Sequence, residues 1–449
     1  MNKKSIIVIG AGMSGLAAAH ELNKAGWNVT VLEARERVGG RVHTARAFSS
    51  GLIAEGGAEY INESQFRMIA LAKEFDLRLG NVGTWQNQSG DWAALEGKTG
   101  LMEDKALWGT DLSEEYKQVW VALAELGKQV SDPADPIAAI NARELDAQDA
   151  QSWIESLQVH PLAKTLFANH IRAEYTCEPK DFSLLDLARN GALYYSDPDA
   201  ADPAFRVIGG NDQIPNAIAH RLPDLRLNAV VSSVKVQAEE VVVTYKQADS
   251  FHTIRAAYAI LAIPLTTARQ IDFDGSLPTA HHAMLNGLSY GSVTKVMIEY
   301  RRRFWHERGW NGRVNTDLPI IYTWDATSHL EGERGILTAY TGGEPGAALT
   351  RLSDTERIQT AVSAIDRIFP GFSDLIENTQ TIAWGNEIFT RGSYMAYAPN
   401  QVTAHWQALF SPAGRLYFAG EHATIYQGFM EGAVESGQRA ARNIIEKGQ

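Results

Sequence analysis

The sequence has little cysteine, little positive charge and no long apolar run, and each shortage closes a class of function. Cys177 is the one cysteine in 449 residues, so neither an intramolecular disulfide nor a Cys-x-x-Cys metal site can form. Nothing in its sequence context marks a low-pKa thiol, and it reads as a packing residue. The twelve histidines contain no His-x-His or His-x-x-x-His spacing. The adjacent His281–His282 is a poor chelating pair, so no metal is expected. The net charge of −12 has the wrong sign for a phosphate backbone, and nucleic acid is not an expected partner. Arg301–Arg303 is the only dense basic cluster and reads as a solvated strand end. No apolar stretch approaches the ~18 residues that suggest a membrane span. The opening MNKKSIIVIGAG runs straight into a strand, too short in apolar residues for a signal peptide. These absences lead to the expectation of a cytoplasmic protein with no membrane partner.

What is present is a globular composition, 45% hydrophobic and 21% charged, in a chain long enough for two or three lobes at about 150 residues each. Ile6–Ile9 is an unbroken β-branched run, as expected of a strand buried on both faces. Ser14–Ala25 reads as a helix that stops at Gly26. Between them lies Gly10-x-Gly12-x-x-Gly15. The first glycine permits a tight turn, the second lets backbone approach a pyrophosphate, and the third lets helix and strand pack closely. A second strand, Asn28–Leu32, ends at Glu33. That acid lies about 20 residues on, where a carboxylate meets ribose hydroxyls. The whole unit is a strong dinucleotide signature, but it does not separate NAD from FAD.

The continuation EARERVGGR adds Arg35, Gly39, Gly40 and Arg41; paired glycines allow close backbone approach and arginines pair with phosphate. This run resembles the N-terminal signature of the flavin-containing amine oxidase family, in which the cofactor is FAD. EGGAEYI, with Gly57 and Ala58, resembles the family segment along the flavin edge. The stretch GRLYFAGEHATIYQGFMEGAVESGQRAARNII resembles its last FAD segment, through Gly420, Glu421 and a helix starting near Met430. The positive end of that helix would face the flavin pyrimidine ring. A backbone contact to the adenine end is implied near Val231. The implied fold is α/β, a Rossmann-like FAD-binding domain interleaved with a mixed α+β substrate domain carrying a helical insertion. Residues 1–78, 205–265 and 405–449 would form the FAD-binding domain. Residues 79–204, read as helical, and 266–404 would form the substrate domain.

Lys295 stands in the middle of a β-branched strand, where a buried charge is costly. It is either an exposed strand lysine or a residue with a purpose. The resemblance gives it one, linked through a water to flavin N5 and assisting oxygen reactivity. The same resemblance implies that Trp384 packs on the isoalloxazine and that Tyr394 and Phe429 wall an aromatic cage, with Tyr426 the alternative to Phe429. Tyr340 is a further substrate contact. Ser393 stands where some animal members have a flavin-linking cysteine, so noncovalent FAD is expected, and no hydrophobic tail like theirs follows the last helix. His43 and His422 read as local hydrogen-bonding residues. After the glycine pair the chain offers Glu59 and Tyr60 where some L-amino-acid oxidases have an arginine; a carboxylate clamp needs that cation. Glu59 would instead receive a second ammonium group, or bond flavin or backbone. The implied activity is oxidation of an amine by hydride transfer to flavin, giving an imine, then aldehyde or ketone, ammonia and hydrogen peroxide. An L-amino-acid oxidase and a carbon–carbon desaturase are the alternatives, and a homodimer is compatible with all three. The expected partners are a small amine and oxygen.

Overall fold

The computed structural model describes residues 4–84, 91–197, 202–307 and 309–448. Its organising element is a five-stranded parallel sheet. In spatial order the strands are Leu225–Arg226, Asn28–Leu32, Ser5–Ile9, Tyr258–Leu261 and Leu416–Phe418. Ser5–Ile9 is central and wholly buried, as its unbroken apolar run requires. The helix Met13–Lys24 follows the first strand and packs along the last helix, Met430–Lys447, so the two ends of the chain share one apolar cluster. Gly437 sets that contact: a Cβ there would lie 2.1 Å from the carbonyl of Ser14. Strands Ala229–Val236, Val241–Gln247 and Ser250–Ala256 form an antiparallel meander that returns the chain to the parallel sheet.

A second, seven-stranded sheet faces the other side of the molecule. Its order is Ile376–Ala383, Val293–Tyr300, Gly335–Gly342, Tyr322–Asp325, Val314–Thr316, Trp92–Leu95 and Lys98–Leu101. Val293–Tyr300 has neighbours on both sides, and all eight of its residues are buried. Helices Leu112–Gly127, Pro161–Glu174 and Leu184–Tyr194 cover this region. The first and third approach closely at Gly127 and Gly191, where a Cβ would meet opposing backbone at 2.5 and 2.7 Å.

The segment 79–204 opens differently from the helical expectation. Leu79–Thr84 pairs with Pro203–Val207, and Trp92–Leu95 turns back on Lys98–Leu101. The turn runs through Glu96 and Gly97 at φ 51° and 75°, the left-handed geometry of a tight hairpin. Ala93, Ala94 and Leu95 have ordinary helical composition. Pairing with Val314–Thr316, more than 200 residues on, makes them a strand. Arg301–Arg303 does end a strand, but Arg303 is also tied down, donating to the carbonyls of Thr327, Leu330 and Arg334.

Gly437→Ala is expected to lower stability by about 1–3 kcal/mol through overpacking. Helix propensity alone would favour alanine by nearly ~1 kcal/mol, so the sign of the shift in the urea-unfolding midpoint decides which effect rules.

Candidate active site

A single cavity of about 1380 Å³ runs between the parallel sheet and the seven-stranded sheet. Every sequence-predicted site residue lines it except Gly15. Gly15 lies behind the wall, where a Cβ would stand 1.9 Å from the carbonyl of Gly10. The three glycines of the opening motif thus meet three separate constraints. Gly10 has φ 101°, and a Cβ there would strike Ala262 at 2.7 Å. Gly12 is the opposite case, with φ −72° and nothing within 4 Å of a Cβ. Neither backbone nor protein neighbours require glycine there; what a side chain would fill is cavity.

The helices Met13–Lys24 and Met430–Lys447 both begin at this cavity, and neither has a side-chain cap. Their first N–H groups and positive dipole ends suit an anion. Glu33 accepts from the N–H of Ala11 at 2.7 Å and of Arg35 at 2.9 Å, one on each oxygen. Each oxygen retains a lone pair for a hydroxyl. Gly57 and Ala58 pass over Arg41 so closely that a Cβ at Gly57 would lie 1.8 Å from its carbonyl. Val231 lies on the wall with Ala229 and Val230.

The arginines of the second signature are partly committed. Arg41 bridges the Ser393 carbonyl and Glu421, the latter at 2.8 Å, and Glu421 also accepts from Gly428 N–H at 3.2 Å. Arg35 donates to Thr390 at 2.6 Å and faces Glu387 at 3.4 Å. His422 lines the cavity, bonded to Tyr290 at 2.9 Å through Nδ1. Its Nε2 is buried without a partner; burial, reinforced by Arg41, pushes its pKa down to about 3. His43 is outside the lining.

Lys295 is not an exposed strand lysine. It is 4% exposed, and its ammonium donates to the carbonyls of Glu55 and Gly57 at 3.1 and 2.9 Å and to Glu59 at 2.6 Å. Glu59 is engaged on both oxygens. Its second oxygen accepts from Arg206 at 2.5 Å and from the Trp324 indole at 2.7 Å. Burial opposes the charge of Arg206, yet Glu59 holds its pKa above the ordinary value. Nearby, burial pushes the Glu55 carboxyl up to about 7. Sequence reading missed Arg206 and Trp324. The signal for Arg206 was the one that singled out Lys295, a cation within an apolar strand, here Pro203–Val207. The reading of Glu59 as an ammonium receptor meets a carboxylate already shared between two cations.

The aromatic residues stand around the same space. Trp384 donates its indole N–H to Gly56 at 3.0 Å. Tyr340 donates to the Ala173 carbonyl at 2.7 Å and lies 3.2 Å from the Tyr394 hydroxyl. Phe429 and Tyr426 both line the cavity, and the Phe429 ring rests on Tyr194 at 5.4 Å. Ser393 bonds Thr176 at 2.8 Å. Cys177 is not in the lining, and burial raises its thiol pKa. Among the described residues no cluster could hold a metal ion, and His281 instead bonds the Ser411 carbonyl and stacks on Phe418.

Glu59→Ala would leave two buried cations without their shared counter-charge, a change that costs about 3–5 kcal/mol. The urea midpoint should fall accordingly. An unchanged midpoint with altered substrate kinetics would return Glu59 to the substrate side.

Residues 13–445 match the family described as flavin containing amine oxidoreductase. The chain is 29% identical to human amine oxidase [flavin-containing] B, over 99% of this chain and 86% of the relative. It is 30% identical to a Mycobacterium tuberculosis protein named as a flavin-containing monoamine oxidase, over 98% and 96%. A putrescine oxidase bound to putrescine superposes with a TM-score of 0.87 at 28% identity, covering 99% of both chains. Cyclohexylamine oxidase from Brevibacterium oxydans, at 24% identity, shares the fold with a TM-score of 0.88 over 99% of both chains. Among the described residues no helix is long and apolar enough to cross a membrane. The chain belongs to the family of flavin containing amine oxidoreductases, and it is an oxidoreductase that acts on amines with a flavin.

Proposed function

We propose that this protein is an oxidase that binds FAD without a covalent bond and oxidises an amine carrying no carboxylate. The observation that carries the reading is that one cavity joins the glycine and Glu33 cradle to buried Lys295 and the aromatic wall. The open Cβ position of Gly12 and the uncapped helix at Met13 suit the pyrophosphate, and Glu33 suits a ribose. Gly40, Arg35 and Arg41 would hold that end, Val231 would meet the adenine, and Gly57, Ala58, Trp384, Gly420, Glu421 and Met430 would hold the flavin, all of them on the cavity wall. Segments 1–78, 205–265 and 405–449 form the cofactor domain; all five strands of the parallel sheet come from them. Segments 79–204 and 266–404 wall the substrate.

When bound there, FAD would supply the two-electron oxidation of the amine, with oxygen as the final acceptor. The balance is amine plus oxygen plus water to aldehyde or ketone, ammonia and hydrogen peroxide. The protein's part is binding, orientation and exclusion of water. Tyr394 and Phe429 confine the amine, Tyr340 braces Tyr394 against helix Pro161–Glu174, and Lys295 holds a positive charge beside Gly57. Two observations support the finer terms. The only thiol lies outside the lining, which suits noncovalent binding. Each arginine on the wall already faces an acid, Arg35 with Glu387, Arg41 with Glu421 and Arg313 with Asp91 at 3.7 Å, which leaves a substrate carboxylate no ready clamp.

Acid precipitation of the yellow protein should leave FAD in the supernatant; flavin retained in the pellet would refute noncovalent binding. Under anaerobic conditions amines should bleach the flavin, and air should restore it with release of peroxide. Bleaching by L-amino acids alone would overturn the carboxylate argument.

A further inference from the structure

Among the described residues, one half-buried carboxylate on the cavity wall has neither a counter-charge nor a hydrogen-bond donor. Glu174 is the last residue of helix Pro161–Glu174 and lines the cavity. It is half-buried because it faces that space. Among the described residues no hydrogen bond or ion pair reaches it, and burial alone pushes its carboxyl up to about 7. Arg172, the nearest cation along the helix, is turned away and holds Glu178 at 2.8–3.0 Å. An acid at a helix C-terminus also opposes the helix dipole. The stability of the fold therefore gives no reason for it.

A second unsatisfied group stands beside it. His170 is one helical turn earlier, on the same face, and lines the same cavity. It is 9% exposed, and its Nε2 is buried without a partner. Burial pushes its pKa down to about 3, so the ring is neutral and one nitrogen is an acceptor. The Trp120 ring lies 4.7 Å from it. Around Glu174 stand Tyr116, Tyr195, Tyr322, Tyr340 and Tyr394, whose phenols are raised by burial and, in part, by the charge of Glu174. A carboxylate and a neutral imidazole set among aromatic faces make a cation site.

We propose that Glu174, with His170 beside it, receives the second, non-reacting ammonium group of a diamine or longer polyamine. This rests on the amine oxidase reading and deepens it. An ammonium brings three N–H donors, and the Glu174 carboxylate, which faces the cavity, can accept them. It also supplies the charge that the buried carboxylate lacks. Glu103, Glu114 and Asp197 line the same cavity against Lys117, so the approach is net acidic and favours a multiply charged cation. Glu174, and not Glu59, is then the acid that reads the substrate.

The experiment compares steady-state kinetics of linear diamines of four to eight carbons with n-alkylamines of matched length, on the holoenzyme and on Glu174→Gln. In the wild type the best diamine should have a KM well below that of its matched monoamine. In Glu174→Gln this preference should collapse by about 30-fold or more, as expected when one partner of a buried charge pair is removed. The loss should fall in KM and not in kcat. A wild-type enzyme that shows no preference for diamines overturns the proposal without any variant. So does a preference that survives in Glu174→Gln, or an equal loss toward both substrates, which would mark a structural or proton-transfer role. If no amine of either kind bleaches the wild-type flavin, the amine oxidase reading itself has failed, a result distinct from those three.

Discussion

The ion cluster of Lys295, Glu59 and Arg206 is the constraint on which the site's geometry depends. Its members come from three distant parts of the chain: a central strand of the large sheet, the loop after the second glycine pair, and the strand Pro203–Val207. Burying them separately would be prohibitive. Together, with the Trp324 indole and two backbone carbonyls, nearly all their polar atoms are used. The loop 55–60 therefore cannot move away from Val293–Tyr300 without exposing unpaired charge to an apolar interior. That loop crosses Arg41 with no room for a side chain at Gly57. The cluster thus pins the loop 55–60 and the strand Pro203–Val207 to the seven-stranded sheet, and sets the cavity wall at Glu59 and Lys295.

This arrangement explains why so much of the cofactor side was legible in the sequence and so little of the substrate side. Gly10, Gly12, Gly15 and Glu33 act within one local strand–helix–strand unit, so spacing alone carries their roles. Lys295 was legible because a cation in an unbroken β-branched strand contradicts local logic, and contradictions of that kind mark function. Trp92–Leu101 was not legible, since alanine and leucine do not announce a strand and its partner lies far along the chain. Arg206 carried the same signal as Lys295 in a shorter, less regular run. Glu174 was the hardest. Acid residues at helix ends are common in sequence, and only the assembled structure shows that this one lacks a partner and faces a cavity.

The acids of the cavity fall into two kinds, and the difference lies in what surrounds each. Glu33 is held by two backbone N–H groups, Glu421 by Arg41 and a backbone N–H, and Glu59 by two cations and an indole. Each is satisfied by the protein and so shapes the wall. Glu55, behind the lining, is buried but bonded to Thr44 and Asn211. Glu174 alone among these five is left to desolvation. Arg172, two residues away on the same helix, points to another face. That the fold pairs Arg172 with Glu178 and leaves Glu174 to the cavity makes the missing partner a property of the site. Such an arrangement is stable enough to fold, because a carboxyl with a pKa near 7 can keep its proton until a cation arrives.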